Sequence, residues 1–256
     1  MKGFTAFFRK EIRESFRTKR MLILMLVFLI VGIMNPATAK LTPKLMEMVA
    51  NDYAAQGIVI GEVTVSAIDS WMQFAKNSPT ALIVFFIMLS GIYTSEYTKG
   101  TLIPLLTKGL SRTSVVLSKF SVMLLIWSAG FFLCFGVTYF YSDFYWDNST
   151  VNAIFPAAFF LWLFGVLIIS CIVFFSSLAS SAPQVMLGTG AVYLLMTFAG
   201  MYKKAAEYLP TRLCASTSLY SGELVPSDFT TAAIITAVLS VILVLAALPL
   251  TQRRQL

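Results

Sequence analysis

Long stretches without a charged residue constrain this chain more than any other feature. Four intervals between consecutive charged residues enclose 19, 19, 23 and 24 uncharged residues: Arg20–Lys40, Lys76–Glu96, Lys119–Asp143 and Asp228–Arg253. Each interval has the length of one helix across a hydrocarbon core, which needs about 20 residues. A fifth interval, Asp147–Lys203, encloses 55 residues. It is long enough for two helices, and the serine-rich segment "SSLASSAPQ" (176–184) has the composition of a tight turn between them.

These intervals predict an all-α polytopic membrane protein with six transmembrane helices in a single transmembrane domain (1–256). The expected spans cover approximately residues 21–39, 77–95, 119–141, 151–176, 183–202 and 229–250. Only 12% of the residues are charged, about half the usual fraction in soluble domains. The net charge of +7 would suit nucleic acid in a soluble protein. In a membrane protein, lysine and arginine hold loops on the cytoplasmic side, so we expect no nucleic-acid partner.

The distribution of basic residues predicts the orientation. With a cytoplasmic N-terminus, the inside segments hold thirteen of the nineteen Lys and Arg residues but only three of the twelve acidic residues. The positive-inside rule therefore places both termini in the cytoplasm. We expect a multi-pass protein of the cell membrane, which in a bacterium is the cytoplasmic membrane. The lipid bilayer would surround its spans.

Several classes of membrane protein are disfavoured by residues that the chain lacks. No charged residue falls in the middle of a predicted span, whereas ion-coupled carriers usually keep one there. The chain has no histidine, which removes the commonest general base and metal ligand. We therefore predict no catalytic residue and no metal site, and energy for any uphill transport would enter from outside the bilayer.

The N-terminal segment has the pattern of an amphipathic helix over residues 4–20. Four apolar residues recur at a spacing of four, beginning at Phe4, and basic residues occupy the other positions. Such a helix lies in the membrane interface with its bases toward anionic headgroups. The bases singled out here are Arg9, Arg13 and Arg17. Whether the helix is a simple anchor or a mechanical lever cannot be read from the pattern.

A short cytoplasmic helix is predicted between the second and third spans. Gly100 and Gly109 bracket it, Thr101 is a candidate N-cap, and Pro104 suits the first helical turn. Ser111 can then cap the helix that carries Arg112 into the third span. Three leucines share one face of the short helix: Leu102, Leu105 and Leu106. A helix this short is unstable alone, so its apolar face should dock on a partner or pack on the chain's own cytoplasmic surface.

At these residues the chain resembles the membrane subunits of ABC exporters of the ABC type-2 permease family. The family pattern of the first cytoplasmic loop is read here at Glu96, Gly100-Thr101-Leu102, Leu105-Leu106, Ser111-Arg112 and Lys119. The chain has "KGLSR" where the family often has a proline before the Ser-Arg pair. The topology matches over the whole chain, whereas the specific motif covers residues 95–119.

The resemblance implies a complex of two permeases and two ABC ATPase subunits. The second permease would be another copy or a homologous chain, and the short loop helix, called the coupling helix, would insert into the ATPase. Glu96 would tie the loop to the basic face around Arg13 and Arg17. The chain has no Gly-Lys dipeptide and so no P-loop. ATP and Mg²⁺ would therefore bind the partner ATPase, and we expect no cofactor on this chain. Residues 202–228 would form short extracellular helices that re-enter the membrane.

The resemblance also implies that the second and fifth spans line the translocation path. The candidate path residues are Phe85, Phe86, Met88, Met186, Tyr193 and Met196. Such apolar, flexible side chains suit an apolar or amphipathic substrate, such as a peptide, a lipid or a drug-like molecule. The alternatives to an exporter subunit are a non-ABC six-span scaffold or immunity factor and, less favoured, a membrane enzyme.

Overall fold

The computed structural model describes residues 2–54 and 64–253, which form helices and turns with no strand among them. The helices are α1 (Lys2–Arg17), α2 (Arg20–Ala54), α3 (Ala67–Leu89), α4 (Thr94–Thr98), α5 (Ile103–Thr107), α6 (Arg112–Tyr145), α7 (Ile154–Leu178), α8 (Ala182–Ala199), α9 (Lys203–Ala206), α10 (Thr217–Tyr220) and α11 (Thr230–Arg253). Three short 3₁₀ turns lie at Asn148–Thr150, Pro210–Cys214 and Pro226–Phe229.

Six helices are long and apolar enough to cross a membrane, as predicted: α2, α3, α6, α7, α8 and α11. Several of them continue beyond the predicted spans. In particular, α2 runs on to Ala54 and α6 begins at Arg112. A charged residue marks where a helix leaves the hydrocarbon, but it does not end the helix, because Lys, Arg and Glu are good helix formers. The predicted single domain also includes residues 55–63 and 254–256, which lie outside those described.

The first two helices meet at a sharp corner. The amphipathic helix α1 ends at Arg17 rather than at residue 20, because Lys19 adopts a left-handed conformation with φ of 57°. The next helix begins directly at Arg20. This corner lets α1 lie across α6 while α2 packs along both α3 and α6.

The core is built around α7 and a chain of aromatic rings. Helix α7 is the most buried of the six long helices, and α11 packs along it. The indole of Trp127 packs against Phe85 and Phe131, with ring centroids 5.5 and 5.3 Å apart. Gly165 on α7 makes this contact possible, since a Cβ there would lie 2.2 Å from the Trp127 ring.

A buried polar chain crosses three of the spanning helices. Pro36 has no backbone N–H to donate to the carbonyl of Gly32, four residues earlier in α2. The hydroxyl of Thr138 on α6 donates to that carbonyl at 3.1 Å and accepts a hydrogen bond from Asn35 Nδ2 at 2.9 Å. Asn77 on α3 donates in turn to Asn35 Oδ1 at 2.9 Å. Side chains from neighbouring helices thus satisfy the groups that the proline leaves open.

The segment before the last span folds into the short helices expected there. Helices α9 and α10 and the 3₁₀ turn Pro210–Cys214 occupy residues 203–220. Contacts join this segment to α3, α7 and α11, and its apolar anchors Leu213, Leu219 and Tyr220 are fully buried. Re-entry into the membrane stays a prediction.

Candidate functional site

The loop between the second and third spans has the turns and the short helix that its residues predict. Gly100 and Gly109 have φ values of 65° and 91°, in the left-handed region that glycine tolerates best. Between them, Pro104 occupies the first turn of α5. The Ser111 hydroxyl accepts a hydrogen bond from the Ser114 N–H at 3.1 Å, which caps α6. The N-cap prediction for Thr101 was wrong, because α5 starts one residue later and Leu102 holds that position.

The leucine face of α5 points into the protein, not outward. Leu102 is 1% exposed and packs with Phe7 of α1 and Val115 of α6. Leu105 and Leu106 are half-buried against the same cluster. The leucines thus pack on the chain's own α1 and α6, and their contact with an ATPase stays a prediction. The exposed edge of α5 consists instead of Ile103, Pro104, Thr107 and the following Lys108.

Five charged side chains form a compact group at the point where α1, α4 and α6 meet. We call it the charge cluster, and its members are Lys10, Glu11, Glu14, Glu96 and Lys119. The Lys119 ammonium donates to Glu11 Oε2 at 2.8 Å and to the Ile92 carbonyl at 3.2 Å. It also lies 2.8 Å from Glu96 Oε2. Lys119 and Glu11 are 1% and 2% exposed, so these charges are compensated by one another and not by water.

Lys10 closes the charge cluster from the exposed side. Its ammonium contacts Glu96, and it lies 2.9 Å from Glu11 and 2.7 Å from Glu14. Partial burial opposes the charged form of Lys10, but its hydrogen bonds to Glu14, Glu96 and Glu11 outweigh burial and raise its pKa. Burial likewise opposes the charged form of Glu14, yet the hydrogen bond from Lys10 lowers the pKa of Glu14 below its usual value. Both groups are therefore held in their charged forms.

Three carboxylates of the charge cluster lie as close together as the ligands of a metal ion would. Oxygen atoms of Glu11, Glu14 and Glu96 lie within 4.8 Å of one another. Each of these carboxylates is contacted by an ammonium group of Lys10 or Lys119. Two lysines thus supply the positive charge that a metal would bring, and one negative charge remains in excess.

Glu96 contacts α1, but not through the residues expected. Its partner there is Lys10, whereas Arg13 and Arg17 are exposed, as is Arg9. The reason is the orientation of α1, whose buried face carries Phe7, Glu11 and Ser15. Lys10 borders that face, and the three arginines lie on the far side of the helix.

Sequence reasoning missed four of the five members of the charge cluster as site residues: Lys10, Glu11, Glu14 and Lys119. Glu11 lies four residues from both Phe7 and Ser15, so its place on the inner face could have been found from helical spacing. Lys119 was recognised only as the end of the loop motif. Its burial depends on carboxylates from two other segments, and nothing local signals that.

Arg112 makes a contact that the sequence did not predict. Its guanidinium donates to the carbonyls of Thr251 and Gln252 at 3.0 and 2.9 Å. These residues belong to the last turn of α11, where carbonyls lack partners within the helix and a positive charge is favourable. Arg112 therefore joins the start of the third span to the end of the sixth.

The predicted path residues divide into two groups. Phe86, Met186 and Tyr193 line one cavity of about 230 Å³ between α3, α7 and α8. Phe85 is fully buried in the aromatic core against Trp127 and is not among the residues that line the cavity. Met88 and Met196 are half-buried and are not among the residues that line the cavity.

Comparison with known proteins adds one family. The family model described as "ABC-2 family transporter protein" matches residues 5–215, which include α1, the charge cluster, α5 and the first five spans. No curated protein and no solved structure matches the chain.

Proposed function

Because the chain belongs to the ABC-2 family of transporter proteins, we propose that it is the membrane-spanning permease subunit of an ATP-driven exporter. In this proposal the chain forms the translocation path and a separate ATPase subunit hydrolyses ATP with Mg²⁺. Two ATPases and a second permease, a copy or a homologue, complete the complex. Family membership decides against an unrelated six-span scaffold or immunity factor.

The observation that supports energy coupling is that α5 has one side packed on the protein and one exposed edge. Its inner side is anchored to α1 and α6 through Leu102, and the adjacent α4 joins the same helices through Glu96. Its outer edge includes Ile103, which is 46% exposed. A force on that edge would be transmitted to α1 and to the third span, α6, together. Arg112 would extend it to the sixth span.

The experiment compares two aspartate substitutions that lie two residues apart. Ile103→Asp should leave the thermal stability of the purified permease unchanged but weaken ATPase binding. An unpaired charge buried at an interface costs several kcal/mol, and each 1.4 kcal/mol is tenfold in affinity. Leu105→Asp should lower the stability of the permease itself, because Leu105 packs on the chain's own cluster.

Both variants are expressed with each soluble P-loop ATPase of the same genome, and ATPase retention and ATP hydrolysis are measured. Loss of ATPase retention in Ile103→Asp with normal stability supports the proposal. If no ATPase binds the wild-type chain, or if Ile103→Asp retains it fully, α5 is not the coupling element and the assignment fails.

A further inference from the structure

The cavity between α3, α7 and α8 exists because α8 packs loosely on the rest of the chain. In α8, Val185 and Thr189 are the buried residues. The start of α8 is held close to α7 at Gly188, where a Cβ would lie 2.5 Å from the Phe175 ring. Gly190 lines the cavity, and nothing lies within 4 Å of where a Cβ would stand on it. The missing side chain at Gly190 therefore leaves space beside α8.

The walls of this cavity are apolar and uncharged. Leu82 and Phe86 come from α3, Phe164 and Ile168 from α7, and Met186 and Tyr193 from α8. No charged residue lines it among the residues that the structure describes. A charged ligand would have to give up its hydration without compensation, at a cost of several kcal/mol or more.

One polar group in the lining has no partner. Thr189 is 2% exposed, and its hydroxyl makes no hydrogen bond to the described part of the chain. A threonine in a helix commonly bonds to the carbonyl four residues earlier, and Thr236 and Thr251 do so in α11. A buried hydroxyl without a partner costs about 1–3 kcal/mol. A bound molecule with a hydrogen-bonding group would recover that cost.

The volume sets the size of what can enter. A dry apolar cavity of about 150 Å³ binds benzene or xenon, and this one measures about 230 Å³. It is therefore large enough for an aromatic ring with substituents or for part of an alkyl chain. We infer that the cavity binds an uncharged amphipathic molecule, with its apolar part against α3 and α7 and a hydrogen-bonding group at Thr189. Identifying this molecule as the cargo rests on the proposed function.

The test uses photolabelling of the full chain in lipid nanodiscs. The probe is a long-chain alcohol that carries a diazirine, and the matched probe is the carboxylate of the same length. After irradiation, the labelled residues are mapped by mass spectrometry. We expect the alcohol to label residues of the cavity lining and an excess of unlabelled alcohol to prevent it. The carboxylate should label them at least tenfold less.

Three variants make the result specific. Gly190→Leu fills the cavity and should reduce labelling about tenfold or more, a change of roughly 1.4 kcal/mol. Gly136→Leu is its control, since Gly136 also has open space beside it but lies on α6, away from the cavity. Thr189→Val removes only the hydroxyl and should reduce labelling roughly two- to tenfold, the worth of one hydrogen bond.

Equal labelling of Gly190→Leu and Gly136→Leu would overturn the proposed site. Labelling by a diazirine phospholipid that excess alcohol does not displace would also overturn it, because the cavity would then hold an acyl chain of the bilayer. None of these measurements involves an ATPase. Specific labelling of a chain that binds no ATPase would therefore keep the site while the proposed function failed.

Discussion

At the scale of single residues, Lys119 is a buried charge held by two carboxylates. It is buried between Glu11 and Glu96, which come from segments more than 80 positions apart. A buried ion pair adds little net stability, because both charges lose their hydration. Removal of one partner is a different matter, since the remaining charges stay buried without compensation. The charge cluster therefore fixes where α1, α4 and α6 lie relative to one another more than it adds to the free energy of unfolding.

Lys119→Met should destabilise the folded protein by about 3–5 kcal/mol, the usual cost of breaking a buried pair from one side. The measurement is the thermal unfolding temperature and the monodisperse yield in detergent. Lys108→Met changes an exposed lysine in the neighbouring loop and should stay within about 0.5 kcal/mol. Adding Glu11→Gln to Lys119→Met should recover part of the loss. Equal stability of the two single variants would show that the cluster is not closed to water.

The exposed side of the charge cluster should show itself in the pH dependence of stability. The pKa of Glu14 is lowered on folding, so its contribution is present above its ordinary pKa of 4.5 and lost as the pH falls through the folded value. The pKa of Lys10 is raised, so its contribution is complete below 10.5 and lost only above that. We expect a plateau of thermal stability between these values. Glu14→Gln should weaken the acid-side decline, and an identical acid profile would contradict this.

At the scale of elements, α5 shows where sequence patterns suffice and where they do not. Gly100, Pro104, Gly109 and Ser111 act on the backbone within three residues, so they predict the turns and the helix directly. The common face of Leu102 and Leu106 also follows from local spacing. What that face contacts depends on Phe7, which is nearly 100 residues away, and helical periodicity carries no such information. The same limit applies to Glu96, whose partner was placed on the right helix but at the wrong residues.

Arg112 provides a test of how two spans are joined at the cytoplasmic end. Arg112→Gln removes a charge and two hydrogen bonds from the end of α11, and hydrogen bonds from charged groups are worth about 1.5–3 kcal/mol. We expect faster hydrogen exchange in the last turn of α11 and a lower unfolding temperature. Arg112→Lys keeps the charge near the helix terminus and should lose less. If exchange in α11 is unchanged in Arg112→Gln, the two helices are held together by other contacts.

At the scale of the whole molecule, α8 is the least enclosed of the six long helices in the described part of the chain. Leu187, Leu194 and Phe198 lie on one side of it and are between 53% and 74% exposed. Tyr193 instead borders the cavity inside the same chain, together with Phe86 of α3. The outward side of α8 is therefore the better candidate for a seam with a second permease.

Single cysteines in α8 should separate these two sides. In a chain whose native cysteines are replaced, Leu194→Cys should form cross-linked dimers in membranes, whereas Val185→Cys, which is fully buried, should not. The readout is the fraction of disulfide-linked dimer after mild oxidation. Absence of cross-links along the whole outward side would place the seam elsewhere.

Pro36, the first of two prolines in α2, has a mechanical consequence. The helix has 35 residues and so a length of roughly 52 Å, far more than the roughly 30 Å of hydrocarbon. Pro36 interrupts its internal bonding near the middle, and a hydroxyl on α6 closes the gap. We expect α2 to pivot at that point. When the cytoplasmic arm of α2 tilts one way, the outer arm swings the other way, and the two arms are of similar length. A displacement at the inner surface would thus reach the outer surface reversed in direction and little changed in size.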